Sequence, residues 1–123
     1  MALNQIPGAV VDSALKVHSA LGPGLLESAY EACLCHELKK RGLPYERQKS
    51  LPIIYDGEQI DAGYRIDLLV EQKVIVELKA IEAINPIHKA QLLSYLKLSG
   101  VSIGLLLNFN VPRMIDGIVR LAN

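Results

Sequence analysis

The residues best suited to chemistry lie in one stretch, residues 64–80, which reads YRIDLLVEQKVIVELKA. It contains two apolar runs, 66–70 and 74–78, and a single acidic residue interrupts each of them, Asp67 in the first and Glu77 in the second. Short runs of aliphatic and β-branched residues are typical of strands that are buried on both faces. The pattern therefore predicts two acidic side chains within a sheet that is largely buried on both faces.

The two runs predict a hairpin centred on Gln72, which is equally far along the chain from Asp67 and from Glu77. In that register the two acids are cross-strand neighbours, with Cβ atoms about 5 Å apart. Lys79 follows Glu77 by two positions and is expected on the same face of the sheet.

Two carboxylates side by side in an apolar setting repel each other, and an unpaired buried charge costs several kcal/mol. A divalent cation between Asp67 and Glu77 would remove this conflict, since Mg²⁺ prefers oxygen ligands. A structural ion pair between Glu77 and Lys79 is the alternative explanation. The residues alone leave both interpretations open.

Length and composition indicate one domain, residues 1–123, in which half of the residues are apolar. The 13 basic and 13 acidic residues cancel, which argues against strong non-specific binding to nucleic acid. Cys33 and Cys35 would point apart on a helix, so we expect reduced thiols and a cytoplasmic protein. The sequence contains no secretory signal or apolar run of membrane-spanning length, so no membrane partner is expected.

Periodicity and turn residues predict an α/β fold with a mixed sheet and helices on both faces. Asn85 and Pro86 predict the start of a helix, and the strand after that helix is expected to be parallel to its neighbour. The expected sheet begins as an antiparallel meander. The predicted elements are helices at 8–21, 24–40, 86–98 and 112–121, an extended segment at 45–55, and strands at 59–64, 65–71 and 101–109.

Two predicted helices carry further candidate residues. Glu27 lies in a first helical turn, where an acid either complements the helix dipole or faces inward as another oxygen ligand. On the helix at 86–98 we expect an apolar face of Ile87, Ala90, Leu93, Ser94 and Leu98 toward the sheet, and a separate polar stripe of His88, Gln91 and Tyr95. Such a stripe is either a solvated face or a set of contacts to phosphate or water.

The order of Asp67, then Glu77-Leu78-Lys79, then a helix and another strand resembles the PD-(D/E)XK nuclease superfamily. Residues 24–30, GLLESAY, also fit GxxExxY, the signature of a family within that superfamily. The resemblance extends over nearly the whole chain and implies a restriction-endonuclease-like αβββαβ core. Ile66 stands where the superfamily name has proline, a residue that ligates no metal.

The resemblance also implies a role for each candidate residue. Glu27, Asp67, Glu77 and the Leu78 carbonyl would bind Mg²⁺ or Mn²⁺, and Lys79 would orient the attacking water. Gln91 and Tyr95 resemble a QxxxY pattern that supports the substrate or the ligand shell. Tyr30 would donate a hydrogen bond to Glu27 or to phosphate, or would simply pack in the core.

Two functions are therefore expected to compete. The first is a metal-dependent nuclease acting on nucleic acid, with DNA favoured over RNA. The second is a non-catalytic module that keeps the nuclease fold and binds nucleic acid or protein. Spare apolar surface on the first and last predicted helices leaves self-association into a homo-oligomer open.

Overall fold

A computed structural model describes residues 2–123, which form a mixed α/β structure. Within this range there are three α-helices: α1 (Ile6–Leu21), α2 (Glu27–Lys40) and α3 (Pro86–Ser99). The same range contains seven strands: β1 (Tyr45–Ser50), β2 (Ile53–Tyr55), β3 (Glu58–Ile60), β4 (Arg65–Val70), β5 (Val74–Lys79), β6 (Ile103–Asn108) and β7 (Ile118–Ala122).

The main sheet has five strands in the order β1-β4-β5-β6-β7. Strands β5 and β6 run parallel, with Val74 opposite Ile103 and Lys79 opposite Asn108, and the other neighbours are antiparallel. The predicted parallel strand after a helix is confirmed. Elements α2, β1, β4, β5, α3 and β6 make up the expected αβββαβ core.

The predicted hairpin register is confirmed between β4 and β5. Leu68 pairs with Val76, and the pairing continues to Val70 and Val74 beside the turn. Glu71 and Gln72 both have left-handed backbone, with φ of 56° and 58°. This conformation lets a short turn connect two strands of right-handed twist.

Each face of the sheet is covered by helices, as expected. The larger core lies between the sheet and the pair α1 and α2, and it includes Val10, Leu34 and Leu78. The second core lies under α3, where Leu92 and Leu96 pack with Ile75. Within residues 2–123, no helix is long and apolar enough to cross a membrane.

The predicted helix boundaries hold at several ends. Helix α1 ends at Leu21 before the Gly22-Pro23-Gly24 break. The side chain of Asn85 caps α3 by accepting a hydrogen bond from the Ile87 N–H, and Gly100 ends the helix in left-handed conformation. Helix α2 begins later than predicted, at Glu27 instead of residue 24.

The predicted meander at the start of the sheet is wrong. Strands β2 and β3 form a separate two-stranded sheet, and β4 pairs with β1 instead of with β3. All residues of β3 are exposed, so this strand has no apolar face to bury in the main sheet. The β2–β3 hairpin is an insertion in the chain between β1 and β4, two paired strands of the core.

The predicted final helix at 112–121 is also wrong. Met114–Gly117 forms a short 3-10 turn, and β7 then pairs with β6. Pairing with the edge of β6 satisfies the backbone groups of this segment, and Gly117 allows the close approach, since a Cβ there would collide with the carbonyl oxygen of Asn108. With no α-helix here, the apolar surface expected of a last helix is not formed, although Ile115 is 54% exposed.

The prediction of which side of α3 faces the sheet is wrong. The buried residues are Leu92, Tyr95 and Leu96, whereas Ile87 is 69% exposed and Leu98 is 37% exposed. Tyr95 therefore belongs to the face that packs on the sheet. The correction brings the predicted polar stripe toward the acids of the hairpin.

Candidate active site

The regular β4–β5 ladder stops at the Leu68–Val76 pair, and side chains replace the backbone bonds beyond it. The Asp67 N–H donates to Oε2 of Glu77 at 2.7 Å, and the Leu78 N–H donates to Oδ2 of Asp67 at 2.9 Å. Each carboxylate thus accepts a hydrogen bond from the backbone of the opposite strand. The exchange holds both acids close to one point of the sheet.

Glu77 is almost fully enclosed, with 4% of its surface exposed. Burial, and next the negative charge of Asp67, raise the pKa of Glu77 from its ordinary value of 4.5 to about 8. The Asp67 N–H and the Lys79 ammonium act in the opposite direction. At neutral pH the Glu77 carboxyl therefore holds a proton unless a further positive charge reaches it.

Asp67 is half-buried, and burial raises the pKa of its carboxyl. The Leu78 N–H and the side-chain amide of Gln48 act in the opposite direction by donating hydrogen bonds to it. The Gln48 contact joins Nε2 to Oδ1 at 3.3 Å. Asp67 is thus fixed through both oxygens while staying accessible.

Glu27 is the first residue of α2. Burial and the charge of Asp67 raise the pKa of Glu27, and Lys79 lowers it. Glu27 is exposed and lines the same cleft as Gln48, whose amide bonds to Asp67. Helix α2 therefore brings the third acid toward the hairpin.

Tyr30 explains how the start of α2 is held in place. Its hydroxyl donates to the Gly22 carbonyl at 2.6 Å and accepts from the Leu25 N–H at 3.1 Å. Its fully buried ring stacks on Phe109, with centroids 4.6 Å apart. Because the single hydroxyl proton is donated to Gly22, Tyr30 takes the packing role instead of donating to Glu27 or phosphate.

Lys79 is half-buried at the end of β5. The four ion pairs within residues 2–123 do not include it. Its charge nevertheless lowers the pKa of Glu77, Asp67 and Glu27. The predicted alternative of a structural Glu77–Lys79 ion pair is therefore absent from this part of the chain, and the ammonium remains near the acids.

Tyr95 lies on the buried face of α3. Burial and the charge of Glu77 raise the pKa of its phenol, with smaller contributions from Tyr64 and Asp67. The ring also contacts Tyr64 edge-on, with centroids 6.0 Å apart. Gln91 is half-buried one helical turn before Tyr95, at the same side of the site.

Sequence reasoning missed two residues beside Asp67. Glu31 is 7% exposed and accepts hydrogen bonds from Arg47 at 3.0 Å and from Gln48 at 2.9 Å. Glu27, Glu31 and Gln48 line an open cleft of about 440 Å³. The position of Glu31 four residues after Glu27, on the same helical face, was a signal for one of the two.

A third missed residue, Asn108, anchors the chain after Lys79. Its buried amide accepts from the Ile81 N–H at 3.1 Å and donates to the Ile81 carbonyl at 3.0 Å. The Phe109 N–H also donates to the Lys79 carbonyl at 2.9 Å. These bonds fix the backbone at Lys79 and directly after it.

The donor set fits a divalent cation chemically. Glu27, Asp67 and Glu77 supply carboxylate oxygens, which Mg²⁺ and Mn²⁺ prefer. Asp67 raises the pKa of both Glu27 and Glu77, and a cation among the three acids would offset this repulsion. Within residues 2–123, no three His, Cys, Asp or Glu side chains form a group that could hold a metal ion.

Comparisons with known proteins agree with this arrangement. A family model described as PD-(D/E)XK nuclease superfamily matches residues 4–121, which is nearly the whole chain. Searches of curated proteins and of solved structures gave no match. Superfamily membership implies a nuclease-type fold and a nucleic-acid substrate. On this match, and with the αβββαβ core and its paired acids, the chain belongs to the PD-(D/E)XK nuclease superfamily.

Proposed function

We propose that this protein is a metal-dependent nuclease of the GxxExxY family that hydrolyses phosphodiester bonds, with DNA as the favoured substrate. Residues 1–123 would form one nuclease domain. The observation that carries the proposal is the reciprocal bonding of Asp67 and Glu77 at the point where the β4–β5 ladder stops. Two buried or half-buried acids beside a lysine that forms no ion pair within residues 2–123 are hard to explain as a purely structural feature.

In this proposal Glu27, Asp67, Glu77 and the Leu78 carbonyl hold Mg²⁺ or Mn²⁺. When bound, such a cation polarises a phosphate and lowers the pKa of an attacking water. Glu77 would lose its proton when a cation binds, because the positive charge would offset the burial and the Asp67 charge that raise its pKa.

Lys79 orients the attacking water and stabilises the negative charge that develops on the phosphate. Its half-buried position near three acids supports this role. Gln91 and Tyr95 support the substrate or the acids from α3. The proposed cytoplasmic location is consistent with the free thiols of Cys33 and Cys35.

The test is cleavage of labelled DNA and RNA with Mg²⁺ or Mn²⁺, comparing wild type with a Glu77→Ala, Lys79→Ala double variant. The matched control is Glu71→Ala, Lys73→Ala, which removes the same residue types from the turn of the same hairpin. We expect wild type and control to cleave, and the site variant to lose activity while its circular dichroism shows a folded protein. Equal activity of the folded site variant would contradict the proposal.

The second candidate is a binding module without turnover, which the equal numbers of acidic and basic residues favour. It predicts binding of nucleic acid or protein with no metal-dependent hydrolysis. Calorimetric titration with Mn²⁺ separates the two candidates, because only the nuclease requires a cation at Asp67. Self-association is a further open property, which sedimentation of the purified chain would measure.

A further inference from the structure

Gln48 has a backbone conformation that is unusual for a residue within a strand. It lies in the middle of β1, between the Arg47–Leu68 and Lys49–Ile66 pairs, and therefore opposite Asp67. Its φ is 50°, in the left-handed region that is unfavourable for a residue with a Cβ. No turn is present here to explain the conformation, so its cause must be sought in the side chain.

The side chain of Gln48 joins two acids. Its Nε2 donates to Oε1 of Glu31 at 2.9 Å and to Oδ1 of Asp67 at 3.3 Å. Both partners are acceptors when ionised, so the amide must present its NH₂ group to them. A glutamine at this position can thus hold two negative groups at a fixed separation.

Glu31 provides the fixed end of this bridge. Its second oxygen, Oε2, accepts from Arg47 at 3.0 Å, and the residue is 7% exposed. Both of its oxygens are engaged, and the residue lies within α2. Glu31 is therefore a support for Gln48 instead of a ligand for a cation.

We propose that Gln48 is a positioning residue, which holds Oδ1 of Asp67 toward the cleft while the Leu78 N–H holds Oδ2. The inference rests on the proposed function, since Asp67 is a proposed cation ligand. Backbone strain is often retained at functional sites, where the role of the side chain offsets the free-energy cost of the unfavourable backbone conformation. Groups that orient a metal ligand in this way typically change metal affinity by about 10- to 100-fold when they are removed.

The decisive variant is Gln48→Gly, which removes the amide and fits the left-handed backbone. Its matched control is Gln72→Gly, because Gln72 has the same side chain and a similar φ of 58° but lies in the turn at the other end of the hairpin. We expect both variants to fold, which circular dichroism would show. Calorimetry should show Mn²⁺ binding about 10- to 100-fold weaker in Gln48→Gly and unchanged in Gln72→Gly.

A second measurement requires no metal. The Leu78 amide donates to Asp67, so its proton signal in a ¹H–¹⁵N spectrum reports the orientation of that carboxylate. We expect the signal to shift or broaden in metal-free Gln48→Gly and to stay in place in Gln72→Gly. An unchanged Leu78 signal in Gln48→Gly would overturn the inference.

Equal Mn²⁺ affinity of Gln48→Gly and wild type would also overturn it. If Gln48→Gly fails to fold, Gln48→Asn replaces it, since asparagine tolerates left-handed backbone but its amide is one methylene too short to bridge the acids. A folded Gln48→Asn that binds Mn²⁺ like wild type would then contradict the inference. If wild type itself binds no Mn²⁺, the proposed function fails, and the Leu78 signal alone decides whether Gln48 orients Asp67.

Discussion

The two ends of the β4–β5 hairpin are built from the same strands but are stabilised in different ways. At the turn end, Leu68–Val70 and Val74–Val76 pair through a regular backbone ladder, and all six of their side chains lie in the two cores. At the open end, carboxylate oxygens of Asp67 and Glu77 replace carbonyl oxygens as acceptors. The first arrangement is strengthened by apolar burial, and the second retains ionisable groups within the sheet.

The difference shows how one hairpin can be both scaffold and site. Apolar packing at the turn end fixes the register, so that the two acids must meet at the open end. The open end then carries groups whose burial is unfavourable for stability in the absence of a cation. Stability and chemistry are therefore expected to respond to different substitutions along the same two strands.

The largest expected effect is at the turn end, for Ile75→Ala. Ile75 is fully buried and pairs with Leu69, so truncation leaves a cavity in the core under α3. We expect the free energy of unfolding to fall by about 2–5 kcal/mol, measured by chemical denaturation. The control is Ile87→Ala at a side chain that is 69% exposed, where a change beyond about 0.5 kcal/mol would be unexpected. An equally small loss of unfolding free energy in Ile75→Ala would show that the stability of the turn end does not depend on apolar burial.

The next effect concerns pH at the open end. Because the folded state raises the pKa of Glu77 from 4.5 to about 8, it binds this proton more tightly than the unfolded chain does. The associated stability is complete below pH 4.5 and is lost as the pH rises to about 8. We expect the free energy of unfolding of the metal-free protein to fall in this window by up to about 1.4 kcal/mol per pH unit.

Glu77→Gln sharpens this test, since an amide of the same shape does not titrate. Denaturation between pH 5 and 8 should show a smaller slope in this variant than in wild type. Some slope should remain, because burial also raises the pKa of Asp67 and Glu27. Identical slopes in Glu77→Gln and wild type would show that Glu77 is not the group whose protonation stabilises the fold.

The smallest effect is expected in the turn itself, for Glu71→Gly. Glu71 has a φ of 56°, and glycine adopts this conformation without steric cost. The relief exceeds the extra chain entropy of glycine only slightly, so we expect a gain of about 0.5–1 kcal/mol in unfolding free energy. The control is Lys73→Gly in the same turn, where left-handed backbone is not present to be relieved. A loss of stability in Glu71→Gly would show that its side chain contributes more than its conformation costs.

Local signals in the sequence were sufficient for much of this architecture. The hairpin register followed from two apolar runs that lie equally far along the chain from Gln72. The start of α3 followed from Asn85 and Pro86. The parallel placement of β6 followed from the helix before it. In each case the deciding interactions lie within one element or between adjacent ones.

The sequence was less informative where distant contacts decide the structure. Residues 112–121 carry apolar side chains that suit either a helix or a strand, and the open edge of β6 selects the strand. The sequence leaves the stripe that carries Tyr95 open between a solvated face and contacts to phosphate or water, because its residues approach the acids only in the folded chain. Gln48 offered no signal, since a left-handed residue within a strand has no local pattern.

Strand β7 also bears on the synthesis of the chain. Every residue of β6 is buried, and β7 pairs with it from Ile103 to Leu107 along the side that β5 does not cover. Until Ile118–Ala122 has left the ribosome, this apolar strand presents a row of free N–H and C=O groups, which is a template for pairing with other chains. The nascent protein thus passes through an aggregation-prone interval that ends only when β7 has paired with β6, and premature termination before Ile118 would prolong it.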